Sequence, residues 1–242
     1  MLVQACLNGS RGPGEHPALP LTADQLAADA RRVMAAGARS LHVHPRGPDG
    51  QETLDPALCA AALGAIRHAC PGLPVGLSTG SWIEPDAGRR RELIAGWMER
   101  PDFASVNFSE PGAVELCDLL ARLGIGVEAG VWSAEEAEAL VDSGRARRLV
   151  RVLVEPMDDE PAAAVAIAER IGGVLDHADV DAPRLYHGRG LATWRVIEEA
   201  MESGWDVRIG LEDTLELADG TAALDNAQLV QTVATMARER GR

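Results

Sequence analysis

The stretch "SLHVHPRGPDG" at 40–50 places His42 and His44 one residue apart inside a short apolar run. Side chains of an extended chain alternate between faces, so the two imidazoles point one way and Leu41 and Val43 the other. Two neutral imidazoles on one face, joined by a carboxylate from another strand, form a donor set for a divalent metal such as Zn²⁺ and leave a fourth position for substrate. The spacing alone also fits a second reading, in which both histidines are buried polar residues bonded to neighbouring strands. Glu212, which closes the run "VRIGLE" at 207–212, is the carboxylate that would complete the set. Asp213 follows it directly. Adjacent residues of a regular strand face opposite ways, so both acids serve one site only if the chain turns there, which Gly210 and Thr214 permit. Arg46 suits either a substrate carboxylate or an ion pair with Asp49. His16, His68 and His177 sit in loop or helix contexts and read as surface residues. Cys6, Cys59, Cys70 and Cys117 show no CxxC spacing, which points to buried reduced thiols and away from a zinc knuckle or a disulfide framework.

These residues must be held by something, and the chain alternates strand and helix signals throughout. The pattern predicts strand 2–8 and helix 22–37, the latter with Thr22 as N-cap, Gln25 as its capping-box partner and Gly37 as its stop. It continues with strand 40–44 and helix 56–69, strand 74–79 and helix 86–99, strand 103–108 and helix 112–122. The second half predicts strand 125–130 and helix 134–142, strand 149–156 and helix 161–171, strand 184–188 and helix 192–203, strand 207–212 and helix 225–240. Eight βα units of about 30 residues match an α/β fold of the (β/α)₈ TIM-barrel type. An open doubly wound sheet would show a Gly-rich first turn, and "NGSRGPGEHPALP" lacks GxGxxG. No low-complexity linker divides the chain, so residues 1–242 are expected to form one catalytic domain.

Barrel active sites lie where the strands end. Asn8, Ser78, Thr79, Ser105, Asn107, Glu128, Glu155, His187, Glu212 and Asp213 are the polar residues that finish the predicted strands. An unpaired polar group in a barrel interior costs about 1–3 kcal/mol, and a shared ligand explains so many of them better than packing does. The formal net charge of -14 opposes nucleic-acid binding, so an anionic ligand must be held by local arginines. No apolar stretch reaches the roughly 18–20 residues of a membrane helix, and Met1 to Gln4 open a strand pattern without a basic leader. A soluble cytoplasmic protein is expected, with no nucleic-acid or membrane partner.

In order and over nearly the whole chain, "LHVHPRGPDGQETLD", "LSTGSW", "FASVNFSEPG" and "VRIGLEDTLELADGTAALDNAQLV" resemble the β-keto acid cleavage enzymes. HxHxR at 42–46 and R-x-G-L-E-D at 208–213 are the sharpest pieces. The resemblance implies a Zn²⁺-dependent (β/α)₈ barrel, a homo-oligomeric dimer or tetramer, that exchanges acyl groups between a β-keto acid and acetyl-CoA. The products would be acetoacetate and a new CoA thioester. Carried over position by position, the metal ligands fall on His42, His44 and Glu212, the base on Asp213, and the arginine that tunes it on Arg208. Substrate-binding hydroxyls fall on Ser78 and Ser105, with Thr79 and Asn107 beside them. A cation would stabilise the developing enolate while Asp213 removes the proton, and Arg208 would keep Asp213 ionised. In the first loop Arg11 stands where the family's glutamate aligns, leaving Glu15 for that role and arguing against an aminated substrate. Arg189, between two glycines after strand seven, could hold a CoA phosphate. Trp82, Trp132 and Trp194 are expected to line a pocket. Two other functions share parts of this pattern. An amidohydrolase-type hydrolase would carry HxH on strand one, where this chain has "ACLN"; a non-catalytic metabolite-binding barrel would lack the base that Asp213 supplies.

Overall fold

A computed structural model describes residues 1–241. Strands β1 (Val3–Cys6), β2 (Ser40–Val43), β3 (Val75–Leu77), β4 (Phe103–Asn107), β5 (Gly126–Val131), β6 (Arg151–Val154), β7 (Arg184–Tyr186) and β8 (Asp206–Ile209) alternate with eight α-helices. The helices are α1 (Ala23–Ala36), α2 (Pro56–Ala69), α3 (Ala87–Ala95), α4 (Ala113–Leu123), α5 (Ala134–Asp142), α6 (Pro161–His177), α7 (Thr193–Ser203) and α8 (Asn226–Glu239). The strands follow chain order in one closed barrel, the TIM-barrel fold expected from the alternation. HxH lies at the end of the second strand, not the first, with His42 on β2 and His44 just past it.

Local chemistry accounts for the boundaries. Thr22 accepts from the Gln25 backbone and Gln25 reaches back to the Thr22 backbone, so the capping box forms as expected. Asp55 caps α2 and Pro56 opens it, which gives the predicted 56–69 span. Several expected boundaries shift. Helix 86–99 stops at Ala95, because Gly96 caps it and Trp97 turns inward to donate to the Leu54 carbonyl at 3.1 Å. Helix 161–171 runs on to His177, since Gly172 and Gly173 do not break it and Ile171 and Leu175 continue its buried stripe. Strand 207–212 ends at Ile209, so Glu212 and Asp213 sit in the turn that both needed.

The chain divides into two compact units, one comprising Leu2–Asp102 and Ile209–Arg242, the other Phe103–Arg208 with Met1. In the first, β1 pairs with β2 and β2 with β3, all parallel, and α8 packs on α1 and β1. In the second, β4 to β8 pair in sequence, again parallel. Every residue of β1, β2 and β6 is buried, as expected of parallel strands covered on both faces. All four cysteines are buried free thiols, as expected. Among the described residues no helix is long and apolar enough to cross a membrane.

Candidate metal and acid–base site

In the unit that contains β1 to β3, the loops after β1 and β2 and the turn after β8 build one cluster. Asn8, fully buried, pins His44 at both backbone groups: its side-chain oxygen accepts from His44 N at 2.9 Å and its amide donates to His44 O at 2.9 Å. Asn226 ties the chain after β8 to that after β1, accepting from Leu211 N at 2.7 Å and donating to Leu7 O at 2.8 Å and to Asp29 at 2.7 Å. After Leu211 the chain turns, with Asp213 N and Thr214 N donating to Gly210 O at 2.9 and 3.1 Å. Two glycines make the approach possible. A Cβ on Gly210 would lie 1.8 Å from the Cys6 carbonyl oxygen, and one on Gly9, at φ +55, would lie 2.3 Å from Glu212 Cγ.

His42 and His44, each 2% exposed, bring their Nε2 atoms to 3.0 Å. Glu212 places Oε1 3.4 Å from His44 Nε2 and Oε2 4.0 Å from His42 Nε2. Two ring nitrogens this close require a proton or a cation between them, because two lone pairs repel. Nitrogen ligands about 2.0–2.1 Å from a tetrahedral Zn²⁺ would lie about 3.3 Å apart, near the separation found. One donor atom from each of the three residues lies within 4.8 Å of the others. Two imidazoles and one carboxylate so placed therefore fit a Zn²⁺-like ion. Without a metal, burial lowers the His44 pKa, but Glu212 and Glu52 outweigh it and push the group up to about 9.

Asp213, 4% exposed, follows the cluster and accepts from the Cys6 thiol, Sγ to Oδ2 2.8 Å. Ser78 and Thr79 are buried just past β3. Arg46 does not form the ion pair with Asp49. It donates to the carbonyls of Gly9, Arg11 and Gly50 at 2.7, 2.6 and 2.7 Å, so it ties the first loop to the loop after β2. Glu15 is likewise turned onto its own loop, accepting from Gly12 N at 2.5 Å and pairing with Arg11 at 3.2 Å. The Gly12 N–H bond is the largest effect on its carboxyl and, with the nearby Arg11 and Arg46, holds it below its usual value against the opposing effect of burial. Arg11 in turn donates to the Leu211 carbonyl beside Glu212.

Sequence reasoning missed Glu52, which accepts from His44 Nδ1. Its only sequence signal is a carboxylate a few residues beyond HxH, after a Gly/Pro turn. Trp82 was expected near a pocket. It is 48% exposed, and its ring stacks on that of His44 with centroids 6.4 Å apart.

The other unit carries the remaining candidates. Ser105 and Asn107 lie buried on β4, where Asn107 donates to Glu110 at 2.9 Å. Glu128 on β5 is fully buried and pairs with Arg151 on β6 at 2.8 Å. Glu155, just past β6, lies 3.5 Å from His187 and accepts from Trp132 Nε1 at 3.1 Å. Trp194 is half-buried on α7, Arg208 is buried on β8 at 3% exposed, and Arg189 is exposed.

The family model described as beta-keto acid cleavage enzyme matches residues 1–155 and 175–242. The chain is 26% identical to the 3-keto-5-aminohexanoate cleavage enzyme of Fusobacterium nucleatum subsp. nucleatum, over all of this chain (100%) and 93% of that protein. It is 28% identical to the 3-oxoadipate:acetyl-CoA acetyltransferase of Cupriavidus necator, over 94% of this chain and 84% of the relative. A solved structure described as the binary complex of ObcA with oxaloacetate shares the fold at TM-score 0.75 and 17% identity, covering 93% of this chain. The chain spans 64% of that ObcA chain's length. The match to the family model extends over most of the sequence, the HxH strand and the Glu212–Asp213 turn included, and the chain belongs to the beta-keto acid cleavage enzyme family.

Proposed function

We propose that this chain is an acyltransferase that exchanges acyl groups between a β-keto acid and acetyl-CoA, giving acetoacetate and a new acyl-CoA by Claisen and retro-Claisen steps. The observation that carries this is the His42–His44–Glu212 donor set with the buried Asp213 in the adjoining turn. A bound Zn²⁺ or similar divalent ion would supply Lewis-acid stabilisation of enolate charge. Asp213 is the base that takes the proton from the carbon between the two carbonyls, its carboxylate oriented by the Cys6 thiol. Arg208 is assigned as the cation that tunes it, on the resemblance alone. Ser78, Thr79, Ser105 and Asn107 are the substrate-binding polar groups, and Arg189 is the candidate for a CoA phosphate. Arg46 and Glu15 are the further substrate-binding candidates, carried by the first loop that their own bonds hold together. One catalytic domain over residues 1–242, a cytoplasmic location and a dimer or tetramer complete the proposal; the closed strand order supports the first.

The test is to incubate metal-loaded protein with acetyl-CoA and a panel of β-keto acids and assay acetoacetate. Acetoacetate from at least one acid, lost on chelation, is expected. No acetoacetate across neutral, anionic and cationic acids, or metal analysis showing no stoichiometric divalent ion, would overturn the proposal. Sedimentation as a monomer near 25.6 kDa would remove the oligomer from it.

A further inference from the structure

We propose that Glu52 is a positioning residue for the metal centre, and that together with Trp82 it fixes His44 in the tautomer that aims Nε2 at His42 and Glu212. This rests on the metal-site proposal above. The loop after β2 folds back on itself through bonds from Gly47 N to Gln51 O at 2.8 Å and from Thr53 N to Pro45 O at 2.9 Å, and Arg46 and Glu52 face each other as an antiparallel bridge. That hairpin returns the Glu52 carboxylate, 12% exposed, to the outer nitrogen of His44. A neutral imidazole has one N–H, and a carboxylate facing Nδ1 holds the hydrogen there, which leaves the Nε2 lone pair for a metal.

Trp82 holds Glu52 in turn. Its indole Nε1 donates at 3.2 Å to both carboxylate oxygens, while its ring lies nearly parallel to the His44 imidazole, 21° between planes. The indole reaches this place only because residue 80 is glycine, since a Cβ there would lie 2.4 Å from the ring. The three side chains therefore form a relay: Trp82 orients Glu52, Glu52 orients His44, and the indole lies stacked beside the imidazole. Glu52 contacts His44 on the side away from Nε2, so its effect on a metal passes through the ligand.

The relay is tested by Zn²⁺ affinity of the full chain, stripped and reloaded, measured by competition with a chromogenic chelator, with melting curves of the metal-free forms as the folding control. Glu52→Gln is expected to weaken Zn²⁺ binding about 10–100-fold, the usual cost of losing a partner behind a metal-ligating histidine. Trp82→Phe keeps a stacked ring but loses the N–H, and its expected loss is smaller, about 2–12-fold for one hydrogen bond. Because Trp82 Nε1 acts through Glu52, the double variant should bind no more weakly than Glu52→Gln, whereas independent effects would add. Zinc addition should also change the wild-type tryptophan fluorescence, and Trp82→Phe should abolish that change. Wild type binding one Zn²⁺ with Glu52→Gln within about twofold of it would overturn the relay alone. Should Glu52→Gln fail to fold, a Trp82→Phe protein with unaltered affinity and an unaltered fluorescence response would overturn it too. Wild type binding no Zn²⁺ would sink the metal site and the relay with it.

Discussion

The two compact units handle buried charge differently. In the unit with β4 to β8, each acid meets a protein partner from a neighbouring element: the buried Glu128 meets Arg151, and the half-buried Glu155 meets His187 and the Trp132 N–H. In the unit with β1 to β3, His42, His44 and Glu212 bring ligand atoms toward one another, with Glu52 behind. The first arrangement meets its acids with side chains of the protein. The second is a donor set that a divalent ion would complete. Buried polar residues at strand ends thus separate into framework and site by what faces them, not by residue type.

The largest effect that would sharpen this contrast is on turnover. Asp213→Asn should retain the metal while acetoacetate formation falls about 10²–10⁴-fold, the usual range for a lost general base. A near wild-type rate would break the comparison by moving the base elsewhere, with Glu128 and Glu155 next to test. A second effect is on stability. Glu128→Ala leaves Arg151 buried opposite an empty place and should cost about 3–5 kcal/mol in denaturant unfolding, while Zn²⁺ affinity stays within about twofold. If the metal were lost as well, the two units would not divide the work in this way.

The smallest effect concerns pH in the metal-free protein. His44 is lowered by burial but raised more strongly by Glu212 and Glu52, from 6.5 up to about 9. A folded-state value above the unfolded one means that the protonated imidazole contributes stability fully present below about 6.5 and lost as pH rises through about 9. Melting temperatures of metal-free wild type should fall over that window more than those of Glu52→Gln, which lacks one of the two supporting carboxylates. Parallel profiles would remove Glu52 from the electrostatics of the cluster.

Alternation of apolar runs with capped helices was enough to predict eight βα units, because strand period, caps and glycine stops are local properties. The same holds for His42 and His44 facing one way, which follows from the pleat of one strand. That Glu212 joins them, and that Asp213 lies in the adjoining turn, was readable only as far as a turn after Gly210 was allowed. Contacts between residues distant in sequence required the fold. Arg46, next to the histidines, spends its guanidinium on three backbone carbonyls, since the first loop passes directly over it. Glu52 faces His44 because a hairpin of specific length folds back, and Cys6 meets Asp213 across 207 residues of chain because β1 and the turn after β8 come together. Residue type and spacing decided which groups could bind a metal; only tertiary structure decided which of them face one another, because that depends on how separate elements pack.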